Sequence, residues 1–355
     1  MKTVPPGVNA AVSQIVRVLV VDDSAYVRKV LTQMLSRSPF LEVIATARDG
    51  REALDVAEQL EPDVITCDLN MPEMGGVRFV EEQMARRAIP IVILSIANRA
   101  GQDVLAALDA GAIDFVQKPT ALASERLLDV ADELIEKVKM AARASVRRVA
   151  SVAAAPPPVL GTRTRPASVD IVVLGISTGG PQGLKSVIPR LPADFPVPVA
   201  IVLHMPVGYT EMYARKLDEL SALTVKEAQE GDEVVAGTVL LAAAGRHLTF
   251  HRLDDRVVAH LDVRPLDTPH RPAVDVLFQS AADVYGARTL GVVMTGMGHD
   301  GKEGSAWIKA RGGRILTEAE ATCVVYGMPR SVVEAGLSDR SVPIDDMAAA
   351  ILERL

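Results

Sequence analysis

A serine set between glycines is the first residue whose surroundings could support chemistry. Ser177 stands at the centre of GISTG (residues 175–179), a G-x-S-x-G pattern that follows the apolar run IVVL and precedes Gly180 and Pro181. Such a turn between a strand and a helix lifts a serine hydroxyl out of the sheet, and the helix amides beside it can stabilise an oxyanion. The pattern indicates nucleophilic attack on an acyl group. A glycine-rich turn that binds a phosphate, or no ligand, is the alternative at this point.

A serine nucleophile needs a base, and all six histidines lie C-terminal to Ser177. His204 directly follows the apolar run VPVAIVL, and Asp300 lies in TGMGHDG, at the end of the run TLGVVM. Because the carboxyl ends of parallel strands share one edge of a sheet, these positions favour Ser177, His204 and Asp300 as a set, with Asp300 orienting the imidazole. His299 remains an alternative base. The chain order Ser, His, Asp differs from that of α/β-hydrolases and disfavours their fold.

A second group of polar residues lies in the N-terminal half, where each member ends its own predicted strand. Three carboxylates crowded at one sheet edge repel each other, and a hard cation such as Mg²⁺ resolves the repulsion through oxygen ligands. A carboxylate beside Mg²⁺ that faces a lysine and a serine is arranged to accept a phosphoryl group. One such acid alone is more commonly a cap or turn residue, so the set carries the prediction. Its members are Asp22, Asp23, Asp68, Ser95 and Lys118.

Both halves alternate strand-like and helix-like segments, which predicts two doubly wound α/β domains with parallel sheets. Residues 224–264 alternate polar and apolar side chains and predict a small antiparallel hairpin region. We place the domains at residues 15–138 and 169–353. Between them, residues 139–168 predict a linker that is rich in Ala and Pro, and its stretch from residue 141 has five arginines and no acid. It is either a solvated spacer or a segment whose arginines dock on an acidic face.

Composition and charge argue against several classes of protein. The 355 residues carry a formal net charge of −7, with 20 Lys+Arg against 21 Asp+Glu in residues 1–168 and 18 against 24 in residues 169–355. Neither half has the basic footprint of a nucleic-acid-binding domain. No apolar run reaches the ~18 residues of a membrane span, and no secretory signal is visible. Two cysteines cannot form a disulfide framework. We therefore expect a soluble, cytoplasmic protein, a monomer by default, without a nucleic-acid partner.

The N-terminal set resembles the receiver domain of two-component response regulators. The resemblance implies a flavodoxin-like fold in which a cognate histidine kinase donates a phosphoryl group to Asp68. It also implies that Ser95 and Lys118 bind the phosphate as switch residues, and that Phe115 changes rotamer on activation; a plain core aromatic is an equal alternative for Phe115. The implied Mg²⁺ ligands are Asp22, Asp23, Asp68 and the main-chain carbonyl of Asn70.

The C-terminal motifs GISTGGP, LHMP, HRPAVDVLF, TGMGHDG and VVYGMPR occur in this order. Together they resemble the catalytic domain of chemotaxis protein-glutamate methylesterases. The resemblance implies hydrolysis of glutamate γ-methyl esters, and deamidation of selected glutamines, on methyl-accepting chemotaxis receptors. No metal or organic cofactor is implied for this reaction. The implied residues are Ser177 as nucleophile, His204 as base and then acid, Asp300 as orienting acid, Met297 as an oxyanion donor through its N–H, and Thr178 as an auxiliary residue beside His204.

Three features of the second half depart from that family: Leu203 stands where Gln is common, and His299 and Lys302 lie in a loop that often carries Asn and Ala. His299 could therefore compete for Asp300. Two other functions remain as alternatives. One is a stand-alone esterase with a vestigial receiver, against which the intact pair of Asp68 and Lys118 argues. The other is a non-enzymatic adaptor that only binds receptors, against which the combined Ser, His and Asp set argues.

Overall fold

The computed structural model describes residues 15–96, 101–118, 124–144 and 168–355, which form two α/β domains. In the first, five parallel strands lie in the order β2-β1-β3-β4-β5, with helices between successive strands. This is the predicted doubly wound receiver sheet, whose strand order reverses between β1 and β3. The elements are β1 (Val16–Val21), α1 (Ala25–Leu35), β2 (Leu41–Ala47), α2 (Gly50–Leu60), β3 (Val64–Asp68), α3 (Gly76–Arg86), β4 (Ile91–Ile96), α4 (Gly101–Asp109), β5 (Asp114–Lys118) and α5 (Ser124–Arg143).

Local sequence explains where these elements begin. β3 is VITCD and is buried throughout, as expected for a central strand that is covered on both faces. Asp49 caps α2, because its side chain accepts hydrogen bonds from the N–H groups of Arg51 and Glu52. Ser24 caps α1 in the same way. Each cap satisfies a backbone donor that the helix leaves unpaired and contributes about 1 kcal/mol.

The second domain contains a seven-stranded sheet in the order β14-β13-β12-β6-β7-β9-β8, in which every pair is parallel. A separate antiparallel hairpin is formed by β10 and β11. The two-domain α/β prediction is therefore confirmed. The elements are β6 (Ile171–Ile176), α6 (Gly180–Val187), β7 (Val199–Leu203), α7 (Thr210–Asp218), β8 (Thr224–Glu227), β9 (Thr238–Leu241), β10 (His247–Leu253), β11 (Arg256–Asp262), α8 (Val274–Tyr285), β12 (Thr289–Val293), α9 (Lys302–Ala310), β13 (Arg314–Glu318), α10 (Met328–Glu334), β14 (Arg340–Val342) and α11 (Ile344–Leu352).

Two details differ from the sequence prediction. The hairpin region is confined to β10 and β11, because β8 and β9 pair in parallel at the edge of the main sheet. Parallel pairing requires the chain between two strands to return to the same end of the sheet. The alternation of polar and apolar residues does not show whether the chain returns in this way. In addition, α5 continues to Arg143, into the stretch that was predicted as linker. Residues 145–167 of that stretch lie outside the described residues, so the predicted domain boundaries stay predictions.

The strand order of the second domain sets the place of a site. β6 lies at the centre of the sheet, between β7 and β12. The strands β7, β9 and β8 extend the sheet on one side of β6, and β12, β13 and β14 extend it on the other. Loops that follow the carboxyl ends of strands at such a switch point form a crevice. Ser177, His204 and the loop of Asp300 follow these three strands. Within the described residues, no helix is both long and apolar enough to cross a bilayer.

Candidate active site and phosphoacceptor pocket

Ser177 is held in a tight turn directly after β6. Its N–H donates to the carbonyl of Thr295 (2.9 Å), which belongs to the loop after β12. Gly179 begins the turn into α6 with φ +77°, and a Cβ at this position would lie 2.6 Å from a methyl carbon of Val324. A Cβ at Gly296 would lie 2.7 Å from the Cβ of Ser177. Only glycine fits these two positions, so the glycines of the motif allow two loops to meet around the serine.

His204 and Asp300 form the polar pair beside this turn. The Nε2 atom of His204 lies 2.8 Å from Oδ2 of Asp300, and both side chains are largely shielded from solvent. The N–H of His204 donates to the carbonyl of Ile176 (3.2 Å), the residue before Ser177. Nδ1 of His204 is buried and has no hydrogen-bond partner among the described residues. Asp300 thus holds one ring nitrogen, and the other makes no hydrogen bond to any described residue, Ser177 included.

The N-terminus of α8 holds Asp300 in place. Oδ2 of Asp300 accepts a hydrogen bond from the N–H of Val274 (2.8 Å), and Oδ1 accepts one from the N–H of Asp275 (2.9 Å). Burial opposes ionisation of Asp300. This effect is outweighed by the hydrogen bond and the charge of His204 and by the two backbone N–H groups, which together lower the pKa of Asp300. A helix N-terminus stabilises an anion by the same partial charges. Asp300 is therefore ionised at neutral pH.

Asp275 and His270 belong to this site, and sequence reasoning assigned neither a role. Oδ1 of Asp275 accepts hydrogen bonds from the N–H groups of Gly301 (2.9 Å) and Gly304 (2.7 Å), which fastens the loop of Asp300 to α8. Burial and the charge of Asp300 raise the pKa of Asp275 to about 7. The His270 ring stacks on His204 with centroids 4.1 Å apart. Loss of water around this ring and the charge of His204 lower its pKa to about 4.

The remaining predicted residues of this domain lie in two different environments. Met297 is half-buried in the loop after β12, next to the Gly296 that packs against Ser177. The hydroxyl of Thr178 donates to Oδ2 of Asp114 (2.8 Å), so this residue contacts the N-terminal domain. His299, the alternative base, is exposed, and the partner of Asp300 in the structure is His204.

The N-terminal domain packs against the C-terminal domain beside Ser177. The ring of Phe115, on β5, contacts the ring of Tyr209 with centroids 4.8 Å apart. Polar contacts extend this surface along α4: Asp109 pairs with Lys185 and Lys216, and the carbonyl of Leu108 accepts a hydrogen bond from Gln182. Phe115, for which a core role was the alternative, is therefore buried between the two domains. We call the surface formed by these residues and the Thr178–Asp114 pair the domain contact.

Asp114 is itself fixed by the helix behind it. The ammonium of Lys137, on α5, lies 3.1 Å from Oδ1 of Asp114 and donates to the carbonyl of Phe115 (2.7 Å). Burial opposes the charge of Lys137, but Asp114 and Glu133 outweigh burial and raise the pKa of this lysine. The carboxylate that reaches Thr178 is thus part of an ion pair within the N-terminal domain.

The predicted phosphoacceptor residues meet at the other end of β5. Oxygen atoms of Asp22, Asp23 and Asp68 lie within 4.8 Å of one another, a spacing that fits one divalent cation. The Lys118 ammonium lies 2.6 Å from Asp22 and 2.9 Å from Asp68. Burial raises the pKa of Asp68 against the opposing charge of Lys118. Ser95 is buried on β4, on the strand next to Lys118, and Asn70 is exposed just after β3.

Comparison with known proteins supports the family resemblance of each half of the chain. Residues 18–132 match the family model of the response regulator receiver domain, and residues 172–351 match that of the CheB methylesterase. A protein-glutamate methylesterase/protein-glutamine glutaminase 5 of Myxococcus xanthus is 48% identical over 95% of this chain and 97% of its own length. One of the same name without a number, from Symbiobacterium thermophilum, is 45% identical over 95% of this chain and 96% of its length.

Among solved structures, the CheB methylesterase catalytic domain of Thermotoga maritima is 42% identical and aligns with a TM-score of 0.52, covering 53% of this chain and 99% of that chain. The resemblance that the motifs indicated is thereby confirmed for both domains. Family model and full-length relatives agree, and the chain belongs to the CheB methylesterase family, with a response regulator receiver domain before its catalytic domain.

Proposed function

We propose that this chain is a phosphorylation-activated protein-glutamate methylesterase. It hydrolyses glutamate γ-methyl esters on methyl-accepting chemotaxis receptors, deamidates selected glutamines there, and so resets receptor adaptation. It acts as a monomer in the cytoplasm, and a cognate histidine kinase supplies its phosphoryl group. The pairing of His204 with an anchored, ionised Asp300 next to the Ser177 turn carries the chemical part of the proposal. The substrate is supported by the printed names of the full-length relatives.

The reaction follows from these groups. The hydroxyl oxygen of Ser177 attacks the ester carbonyl while Nδ1 of His204 takes its proton, and Asp300 stabilises the resulting imidazolium. The tetrahedral oxyanion forms beside the loop after β12, where the N–H of Met297 is the proposed donor. On collapse, the imidazolium protonates the leaving methoxide, and methanol departs. Water, deprotonated by His204, then attacks the acyl-serine, releasing the receptor glutamate and regenerating Ser177. With a glutamine substrate, the same steps release ammonia.

The receiver pocket fits a divalent cation, because three carboxylates converge there and a single lysine bridges two of them. Asp22, Asp23, Asp68 and the carbonyl of Asn70 would hold Mg²⁺, which supplies positive charge to phosphoryl oxygens when bound. Asp68 takes the phosphoryl group. Ser95 and Lys118 then bind the new phosphate oxygens, and Lys118 does so in place of its present bonds to Asp22 and Asp68.

Regulation follows from the position of β5. Lys118 ends this strand, and Asp114 and Phe115, which contact the catalytic domain, begin it. Reorganisation of Lys118 around a phosphate therefore moves the same strand that holds the domain contact. In the unphosphorylated state the receiver rests on the residue next to Ser177 and hinders a bulky receptor substrate. Phosphorylation of Asp68 weakens the contact and opens the site.

The test of the catalytic assignment is methanol release from receptor-bearing membranes that carry methyl-esterified glutamates. We expect native protein to release methanol and Ser177→Ala to lose the activity by at least about 10³-fold, the scale on which triad members act. Ser186→Ala, which removes a hydroxyl on α6 that donates to the carbonyl of Gln182 in the same helix, is the matched control and should resemble native protein. Equal release by native protein and Ser177→Ala would exclude Ser177 as the nucleophile.

A further inference from the structure

A buried acid near the nucleophile has no part in the mechanism above. Glu318 is the last residue of β13 and is fully buried. Its Oε2 accepts the N–H of Thr295 (2.9 Å), and its Oε1 accepts the hydroxyl of Thr322 (3.0 Å). No lysine, arginine or histidine among the described residues forms an ion pair with it. A carboxylate buried without a cation is costly, and burial raises the pKa of Glu318.

The residue that Glu318 holds is the junction between the two loops of the active site. The carbonyl of Thr295 accepts the N–H of Ser177 (2.9 Å), and its hydroxyl donates to the carbonyl of Thr178 (3.0 Å). The next residue, Gly296, packs against the Cβ of Ser177 and leads to Met297. Thr295 therefore fixes the backbone of the nucleophile and the start of the loop that carries the proposed oxyanion donor. Its own N–H is fixed by the carboxylate of Glu318.

We propose that Glu318 is a positioning residue for catalysis, acting through Thr295 on the relative placement of Ser177 and the Met297 N–H. Glu318 is fully buried, so it acts without touching the substrate. The proposal rests on the proposed function in that Ser177 is the nucleophile. It adds that the geometry of the Ser177 turn depends on a hydrogen-bond acceptor, the Glu318 carboxylate, at the end of β13.

Two variants separate the hydrogen bond from the volume of the side chain. Glu318→Met keeps a side chain of similar size but leaves the Thr295 N–H without an acceptor. Glu318→Gln keeps a carbonyl oxygen for that N–H and presents its amide to the Thr322 hydroxyl, which can accept. Because misplacement by about 1 Å can lower a rate about 10²-fold, we expect kcat to fall about 10- to 100-fold in Glu318→Met. KM should stay within about twofold, and Glu318→Gln should restore kcat to within about threefold of native.

The control addresses general loss of stability. Thr317 is the preceding residue of β13, is fully buried, and bonds to the hydroxyls of Ser338 (2.8 Å) and Ser341 (2.9 Å), away from the active site. Thr317→Val removes those bonds at nearly constant volume. We expect it to lower the melting temperature while kcat stays near the native value. All rates are measured below the lowest melting temperature, on the same receptor-bearing membranes, with phosphodonor present.

Three results would each overturn the proposal: kcat of Glu318→Met within about twofold of native, kcat of Glu318→Gln as low as that of Glu318→Met, or the same loss of kcat in Thr317→Val. If Glu318→Met does not fold, Glu318→Val takes its place, because it also leaves the Thr295 N–H without an acceptor and its β-branched side chain suits the strand β13. The same loss of kcat at unchanged KM is then expected, and native kcat would contradict the proposal. Ser177→Ala is measured in parallel to distinguish failure of this proposal from failure of the proposed function. If Ser177→Ala stays active, the proposed function itself is wrong.

Discussion

The hydroxyl of Thr178 donates a hydrogen bond to the carboxylate of Asp114 across the boundary between the two domains, at 2.8 Å. Thr178 is the residue after the proposed nucleophile, and Asp114 begins the strand that Lys118 ends. Four residue steps of a β-strand span about 13 Å. One strand thus runs from the phosphoacceptor pocket to the backbone beside Ser177. This short path is the physical basis of the regulation that we propose.

Removing the Asp114 carboxylate should release part of the domain contact. A hydrogen bond to a charged group contributes about 1.5 kcal/mol or more, so Asp114→Ala should raise methanol release without phosphodonor by about tenfold. The control is Glu133→Ala, which removes the other carboxylate near Lys137 (3.2 Å) but does not reach the catalytic domain. Methanol release from receptor membranes measures both variants. An unchanged basal rate in Asp114→Ala, or an equal rise in Glu133→Ala, would argue against the role of this contact.

Tyr209→Phe should act in the opposite direction. The Tyr209 hydroxyl is buried at the domain contact and has no hydrogen-bond partner among the described residues. Because an unsatisfied buried hydroxyl costs about 1 kcal/mol or more, its removal should tighten the contact between Phe115 and residue 209. We expect a basal rate about three- to fivefold below native and a melting temperature about 2–4 °C higher. A lower melting temperature would show that the hydroxyl is stabilising.

Asp275 predicts a pH dependence of stability. Its pKa is raised to about 7 in the folded protein, chiefly by burial and with the Asp300 charge adding to the effect. A raised acid pKa stabilises the fold fully below the unfolded value of about 4. That contribution is lost as pH rises from about 4 through about 7.

Asp275→Asn keeps an oxygen for the Gly301 and Gly304 N–H groups but cannot ionise. Its melting temperature relative to native protein should therefore increase between pH 5 and pH 8, which calorimetry at both pH values measures. A difference that stays constant, or that decreases, would contradict a raised pKa at this position.

Several site residues were predictable because their position depends on topology alone. Ser177, His204 and the Asp300 loop each follow an apolar run, and runs that become neighbouring parallel strands bring their ends together. The acids around Lys118 were predictable for the same reason. His270, Asp275 and Glu318 were not, because each reaches the site through packing between segments distant in sequence. The Thr178–Asp114 pair depends on how two domains dock, which no local pattern encodes, and β8 and β9 were misassigned because alternation does not specify strand direction.

Removal of the divalent cation should abolish the function of the receiver domain and leave the ester hydrolysis of the catalytic domain unchanged. The three carboxylates near Lys118 fit Mg²⁺, whereas the proposed ester chemistry uses only Ser177, His204 and Asp300. Chelation with EDTA should therefore abolish the response to a phosphodonor and leave basal methanol release unchanged. Asp23→Asn, which removes the exposed carboxylate of the set, should raise the Mg²⁺ concentration needed for half-maximal stimulation by about tenfold or more. Loss of basal release on chelation would place a metal in the ester reaction.

The central claim is that a phosphoryl group on Asp68 relieves the contact of the receiver with the Ser177 turn. The most direct measurement compares methanol release from methyl-esterified receptor membranes, with Mg²⁺, in the presence and absence of a small-molecule phosphodonor, for native protein and Asp68→Asn. The account predicts that the phosphodonor raises the native rate by about tenfold or more and has no effect on Asp68→Asn. A native rate indifferent to the phosphodonor, or equal stimulation of Asp68→Asn, would contradict it.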